Sequence, residues 1–307
     1  MANLDSIKDT VCVVTYNHEK YIAECLQSLV DQETDFSFEI IVGDDCSTDN
    51  TREIIQDFYN RYPEVIKPIF NDRNLGATRN YFNVHNRANG VYVFHMDGDD
   101  VAYPSKLQVQ ADYLDKNIDM VCCWHQAQVF SDGGLLRNVR EAKLDEIVDS
   151  SNLGLSDFLK YGVLGCHSSL AYRRKYFEGI RLLDGEMLDY YIAIHLLAQG
   201  NGSSISQVLG GYRFNPGAST ASNGKFFIFK GSPLKKVYLS HLQLFYKQYP
   251  VHSDCIFFNS FYNFIVELSK LRLNLAAGFL LLSLRSIRRR AVASFYYDFV
   301  RFRKACK

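Results

Sequence analysis

A doubly wound, mostly parallel α/β sheet followed by a helical C-terminal extension is the fold this sequence predicts, and three observations predict it. Short β-branched runs alternate with helix-period segments through the first hundred residues. Each of three polar clusters follows an apolar run, which is where such sheets keep their ligand crevice. Beyond residue 224 the composition turns basic and aromatic.

The elements follow in order. Thr10-Val11-Cys12-Val13-Val14-Thr15 is the first strand and ends in Tyr16-Asn17-His18. Tyr21, Ile22, Cys25, Leu26, Leu29 and Val30 recur at three- and four-residue spacing, so a helix follows. Phe38-Glu39-Ile40-Ile41-Val42 is a second buried strand, and Gly43-Asp44-Asp45-Cys46-Ser47-Thr48-Asp49 comes after it. Ile54, Ile55, Phe58 and Tyr59 mark the next amphipathic helix, and Val65 to Phe70 a third strand. The loop Asn71 to Gly76 leads into a helix from about Thr78 to Ala88. Last comes Val91-Tyr92-Val93-Phe94, running into His95-Met96-Asp97-Gly98-Asp99-Asp100. Three carboxylates at a strand end repel one another unless a cation sits between them. Mg²⁺ or Mn²⁺ is the expected solution, because each takes one or two carboxylates and leaves its other positions to phosphate oxygens. Tyr16-Asn17, Asp44-Asp45 and Asp97 to Asp100 should converge on one crevice. Neither a Gly-x-Gly-x-x-Gly after the first strand nor a Gly-x-x-x-x-Gly-Lys-Ser/Thr occurs, which removes support from dinucleotide oxidoreductases and P-loop enzymes.

Four of these stretches resemble, in order and spacing, the motif series of the family 2 glycosyltransferases. They are Val13-Val14-Thr15-Tyr16-Asn17, Val42 to Asp49, Asn74-Leu75-Gly76 with Arg79-Asn80, and Met96-Asp97-Gly98-Asp99-Asp100. The resemblance is firm over residues 8–125, looser to about 220 and absent beyond. It implies the GT-A nucleotide-sugar fold, an inverting reaction and a divalent metal. It also implies a nucleotide-sugar site built from Thr15, Tyr16, Asn17, Asp44, Asp45, Arg79, Asp97, Gly98 and Arg213. Asp45 is expected to accept the imide N–H of the base, as in a UDP-sugar, with Asp44 structural or near the ribose. Arg79 is expected near the base or diphosphate and Asp97 at the ribose. Asp97 and Asp99 are expected at the metal, with Asp100 as a second candidate ligand.

Inverting transfer is one displacement, in which a base takes the acceptor's hydroxyl proton. Leu182-Leu183-Asp184-Gly185-Glu186-Met187-Leu188-Asp189 offers acids for this role ahead of an apolar helix through Tyr191, Ile192, Ile194, Leu196 and Leu197. By resemblance Asp189 is the expected base and Glu186 the reserve; the other reading of Asp189 is an acid favoured at a helix N-terminus. Gly211-Tyr212-Arg213-Phe214-Asn215 follows a short strand expected near Val208-Leu209. Related enzymes often carry Tyr-Arg-x-His here; Asn215 replaces the His, while Arg213 could still neutralise phosphate. His167, in Gly165-Cys166-His167-Ser168-Ser169, is expected to face the acceptor or to be a satisfied structural histidine. Trp124 is expected in the core, the other reading being a stacking platform for a sugar.

The chain carries no net charge, but residues 225–307 hold 15 Lys and Arg against 3 Asp and Glu, leaving 19 against 31 in residues 1–224. That split divides the expected organisation. Residues 1–224 form the glycosyltransferase domain, with a nucleotide-sugar half (1–125) and an acceptor half (126–224), and residues 225–307 form a basic helical region. Its longest uncharged stretch is shorter than the ~20 residues of a spanning helix. Arg288-Arg289-Arg290, Arg301, Arg303 and Lys304 alternate with Phe295, Tyr296, Tyr297 and Phe299, as in an anchor lying on anionic lipid; the alternative is a helical cap. No nucleic-acid motif accompanies the basic end. The eight cysteines lack a Cys-x-x-Cys, and Met1 to Lys8 is polar without a secretory pattern. The expected location is therefore the cytoplasm, peripherally attached to the inner face of the membrane, with reduced thiols. The expected partners are a nucleotide-sugar donor and a glycan acceptor on a lipid carrier, in surface polysaccharide assembly such as O-antigen, lipopolysaccharide or capsule. Two other functions remain at this stage: a nucleotidyltransferase making activated sugars, which would need a Gly-rich basic loop after the first strand, and a sugar-binding protein that has lost its chemistry.

Overall fold

The computed structural model describes residues 8–132, 134–139, 147–162, 165–183, 189–214, 232–270, 272–286, 295 and 298–301. The chain divides into two compact units. One comprises residues 1–140, 165–186 and 195–215, the other residues 141–164, 187–194 and 216–307.

The first unit is a single mixed sheet with helices packed on it. Its parallel part consists of β1 (Asp9–Thr15), β2 (Phe38–Asp44), β3 (Ile66–Phe70) and β4 (Tyr92–Asp97), in spatial order β3-β2-β1-β4. The connecting helices are α1 (Ile22–Val30), α2 (Thr51–Arg61) and α3 (Ala77–His85). Parallel strands demand such crossovers, and the alternating sequence supplies them. Ile22, Cys25, Leu26 and Leu29 of α1 join Val11 and Val13 of β1 and Ile40 and Val42 of β2 in one buried cluster. The sheet then turns mixed. After β5 (Val101–Ala102) and α4 (Lys106–Lys116) come β6 (Met120–Ser131), β7 (Gly134–Val139), β8 (Ala171–Arg173) and β9 (Asn201–Arg213). β8 is antiparallel to both β4 and β6, β9 is parallel to β6, and β5 pairs antiparallel with β9. The strand expected near Val208-Leu209 is thus 13 residues long, and its register along β6 shifts at three places.

Register decides the site. Thr15 lies opposite Asp44, and Val14 lies opposite Asp97. All three polar clusters therefore leave the sheet at one edge, as the alternation implied. Trp124 is 2% exposed and lies against Gly165 and Gly202, where any Cβ would come within 3 Å of its ring, so it is a core residue.

The second unit is helical among its described residues, with α5 (Leu155–Tyr161), the start of α6 (Asp189–Leu197), α7 (Ser232–Gln248), α8 (Ser253–Ser269) and α9 (Leu273–Ser286). Tyr190 and Tyr191 of α6 pack on Phe245 of α7, and the Tyr190 hydroxyl donates to the Phe158 carbonyl. Among the described residues no helix is long and apolar enough to cross a membrane. The seven described cysteines are unbridged.

Candidate active site

The β1 and β2 ends are knitted into one platform. The Asn17 amide N–H donates to Ser47 Oγ (2.9 Å), and the Thr48 N–H donates to Asn17 Oδ1 (2.8 Å). Asn17 and Cys46 both take the left-handed backbone conformation (φ 55° and 61°) that short amide-bearing turns tolerate. Tyr16, at the rim of this platform, is 43% exposed.

The two acids after β2 face inward. Asp44 is fully buried and accepts from Arg52 Nε (2.6 Å) and the Ser47 N–H (3.1 Å). Asp45 is 2% exposed and accepts from the Leu75 N–H (2.8 Å), the Gly76 N–H (2.8 Å) and Asn71 Nδ2 (3.0 Å). Gly76 has φ 85°, a conformation that favours glycine. The carboxylate expected to meet the base therefore ties down the loop that opens α3. On that helix Arg79 is exposed and Asn80 is buried, with its Nδ2 donating to the Gly43 carbonyl (2.8 Å).

At the β4 end the acids part company. Asp100 is 1% exposed, accepting from Ser168 Oγ (2.5 Å) and the Arg213 N–H (2.8 Å). Burial, and then its acidic neighbours, push its carboxyl well above the usual range. Asp100, the second candidate metal ligand, here anchors β9 and the Ser168 turn. Lys106 is equally buried, donates to the Ser168 carbonyl (2.6 Å) and has its pKa lowered by burial to about 8. Asp97 keeps 31% side-chain exposure. Its Oδ1 lies 3.1 Å from His95 Nε2 and its Oδ2 3.9 Å from His167 Nδ1. Burial opposes ionisation, but the imidazole of His95, and after it those of His167 and His18, hold the Asp97 carboxyl well below its usual range. Burial lowers His95 to about 4 and His85 well below the usual imidazole value, so both are neutral at pH 7. Asp99 is half-buried beside them. Gly98 permits the arrangement, because a Cβ there would lie 2.8 Å from Thr15 Cβ.

Arg213 is brought to this end of the sheet but is 6% exposed. Nε donates to the Asp99 carbonyl (2.9 Å), Nη1 meets Asp132 (3.1 Å), and Nη2 pairs with Glu24. The rings of Tyr21 and Phe130 flank its guanidinium. In this state it braces the strand end. Asp189 belongs to the other unit; it opens α6, with its carboxylate accepting the Tyr190 N–H (2.8 Å). Glu186 and Asn215 lie outside the described residues.

His95, Asp97 and His167 place one ligand atom each within 4.8 Å of one another. A partly open carboxylate, with an imidazole nitrogen just beyond hydrogen-bond reach of its second oxygen, suits a divalent cation. The adjoining Asp99 adds an oxygen donor of the kind Mg²⁺ and Mn²⁺ prefer. The residues fit such an ion. Sequence reasoning missed His95 as part of this cluster. The signal was a lone histidine two residues before Asp97 in an otherwise apolar strand.

The family description "Glycosyl transferase family 2" matches residues 10–181. An uncharacterized protein of Mycobacterium tuberculosis strain H37Rv is 27% identical over 205 residues, 66% of this chain and 58% of that protein, so the chain spans little more than half of that relative's length. The abequosyltransferase RfbV of Salmonella typhimurium is 35% identical over 113 residues, 36% of this chain and 34% of that one. The Staphylococcus aureus TarS fragment 1–349, solved in complex with UDP-GlcNAc, superposes with a TM-score of 0.69 at 18% identity, covering 97% of this chain and 89% of that one. That likeness confirms the mixed α/β fold.

Proposed function

This chain belongs to glycosyl transferase family 2, and on that premise we propose that it is an inverting glycosyltransferase. It moves a sugar from a nucleotide diphosphate sugar, of the UDP type, to a hydroxyl of a lipid-linked glycan in surface polysaccharide assembly. The observation that carries this reading is the half-open Asp97 at the strand edge where the Tyr16-Asn17 and Asp44-Asp45 platforms also end. Tyr16 and Asn17 line the nucleotide side. Asp45 shapes that side through the loop it holds, with a remaining lone pair for the base. Arg79 provides an exposed cation for the diphosphate. Asp97 and Asp99 hold the metal, which when bound takes up charge on the leaving diphosphate. Arg213 reaches phosphate by exchanging its exposed partners Glu24 and Asp132 for it. His167 contacts the acceptor sugar or adds a nitrogen to the ion.

Asp189 is the base. The acceptor oxygen attacks the anomeric carbon, its proton goes to Asp189, and the bond to the diphosphate breaks with its electrons on the leaving group. Asp189→Asn should lower turnover by about 10²–10⁴ with donor affinity nearly unchanged. If Glu186→Gln shows that loss instead, the role moves to Glu186. The whole reading is tested by UDP binding with and without Mn²⁺. Wild type should bind in a metal-dependent way and Asp99→Asn should not. Equal binding by both proteins, or binding unaffected by chelator, would remove the metal from the reaction.

Attachment to the inner membrane face is the second part of the proposal. It is supported by the 15 basic residues beyond 224 and by Leu273, Leu281 and Leu284, which leave the outer face of α9 more than half exposed. Such a face lies in an anionic interface rather than across it. The chain should co-sediment with anionic vesicles at low salt and less so at high salt, and ignore neutral ones. Indifference to anionic vesicles would leave these helices as a cap or a contact between copies.

A further inference from the structure

Four side chains behind the strand edge form an unbroken line. The Tyr172 hydroxyl lies 2.6 Å from His85 Nδ1, His85 Nε2 lies 3.0 Å from His95 Nδ1, and His95 Nε2 lies 3.1 Å from Asp97 Oδ1. Tyr172 and His95 are fully buried and His85 is 2% exposed. Tyr81 stacks on His85 at 3.7 Å, covering the line with an aromatic face.

The direction of these bonds follows from the ends. A carboxylate only accepts, so the nitrogen 3.1 Å from Asp97 must carry a hydrogen. A neutral imidazole has one N–H, so His95 Nδ1 is an acceptor and His85 Nε2 is its donor. His85 Nδ1 then accepts, and the Tyr172 O–H donates. Every polar atom in the line is satisfied. The opposite direction would set a nitrogen lone pair against the Asp97 oxygen. It would also leave the phenolic hydrogen without an acceptor among the described residues, a costly arrangement in so dry a place.

Resting on the nucleotide-sugar reading of Asp97, we propose that Tyr172, His85 and His95 form a one-way hydrogen-bond line that positions Asp97, with His95 a donor to that carboxylate and not a ligand of the cation. Oδ1 is held by His95, and Oδ2, with Ser168 Oγ at 3.5 Å and His167 Nδ1 at 3.9 Å, is kept for an ion or ribose hydroxyl. His95 is in this sense a positioning residue, acting on bound substrate only through Asp97. Outer partners of ligating groups typically contribute about 10–100-fold to affinity or activity.

The test uses the intact chain labelled with ¹⁵N-histidine. In ligand-free protein His95 should show Nε2 protonated and Nδ1 unprotonated, and adding Mg²⁺ with UDP should leave that tautomer unchanged. His95→Gln, which assigns the signals and can still offer an N–H near the Nε2 position, should retain most Mg²⁺-dependent UDP affinity. His95→Leu should lose about 10–100-fold of that affinity, and Tyr172→Phe should weaken it and let His85 change tautomer. An Nδ1-protonated His95, or an Nε2 signal that moves into a metal-bound range on adding Mg²⁺ and UDP, overturns the proposal. If wild type binds no UDP, the nucleotide-sugar reading fails by that result, and the ligand-free tautomer still decides the line.

Discussion

Two strand ends of the same sheet carry adjacent acids, and they are used in opposite ways. At the end of β2 both carboxylates are buried by the protein, Asp44 with one oxygen held by Arg52 and the Ser47 N–H, Asp45 held by the 71–76 loop. At the end of β4 one acid, Asp100, is buried likewise, whereas Asp97 is held by His95 at one oxygen, meets Ser168 Oγ only at 3.5 Å with the other, and keeps 31% side-chain exposure. An Asp-Asp step after a buried strand is therefore not itself a binding site. What separates the two ends is how completely the rest of the fold covers each carboxylate.

The largest expected effect tests the open end. Asp97→Asn and Asp99→Asn should each lower kcat by about 10²–10³, the usual cost of removing one electrostatic contact to developing charge, while the thermal midpoint stays near that of wild type. A variant that unfolds without a separate loss of turnover would place Asp97 with the scaffold acids. Asp45→Ala should show the reverse pattern. Stranding the Leu75 N–H and one Asn71 N–H should cost about 2 kcal/mol, read as a lower urea midpoint at unchanged m, with kcat falling far less than in Asp97→Asn. If Asp45→Ala is stable but binds UDP poorly, the base-recognition role outweighs the loop-holding one.

The smallest effect lies at the opposite edge of the sheet. Asp9 is fully buried at the start of β1, and burial raises its pKa to about 7. A raised folded-state pKa means the native protein binds more protons than the unfolded chain, so this group's contribution to stability falls as pH rises from about 4 to about 7. Asp9→Asn should then gain about 2–4 °C in thermal midpoint at pH 8, for roughly 1 kcal/mol, and little at pH 5. Equal shifts at both pH values would mean that the charge at Asp9 is not the cause.

Much of this was legible in the residues. The periodicity marked β1 to β4 and α1 to α3, and parallel order forced the polar clusters onto one edge. Whether an acid there faces in or out was not legible. Asp100 is turned inward by Ser168 and by Arg213, 68 and 113 residues further along, and no local pattern encodes such pairings. The same holds for the line behind Asp97. His85 sits in an ordinary amphipathic helix, and only the antiparallel insertion of β8 brings Tyr172 to it. Arg213 read as a cation awaiting phosphate because its carboxylate partners, Glu24 and Asp132, lie in segments with no motif. The β6 and β9 strands were under-read because their bulges interrupt the period-2 signal.

The tie between Arg213 and the Asp99-Asp100 turn also sets an order of events during synthesis. The four parallel strands are complete by Asp97, and their pairings join residues much closer in the chain than Glu24 and Arg213 are. The turn that follows is secured only when Arg213 arrives, and Glu24 must wait across 189 residues for the same side chain. Closing so long a loop is slow compared with local pairing. A ribosome-bound chain that has emerged only to residue 200 should therefore hold these four strands while the Asp99-Asp100 turn still lacks Arg213. Pulse-labelling hydrogen exchange should find the amides of β1 and β2 protected first, and the Asp100 and Arg213 amides protected together and last.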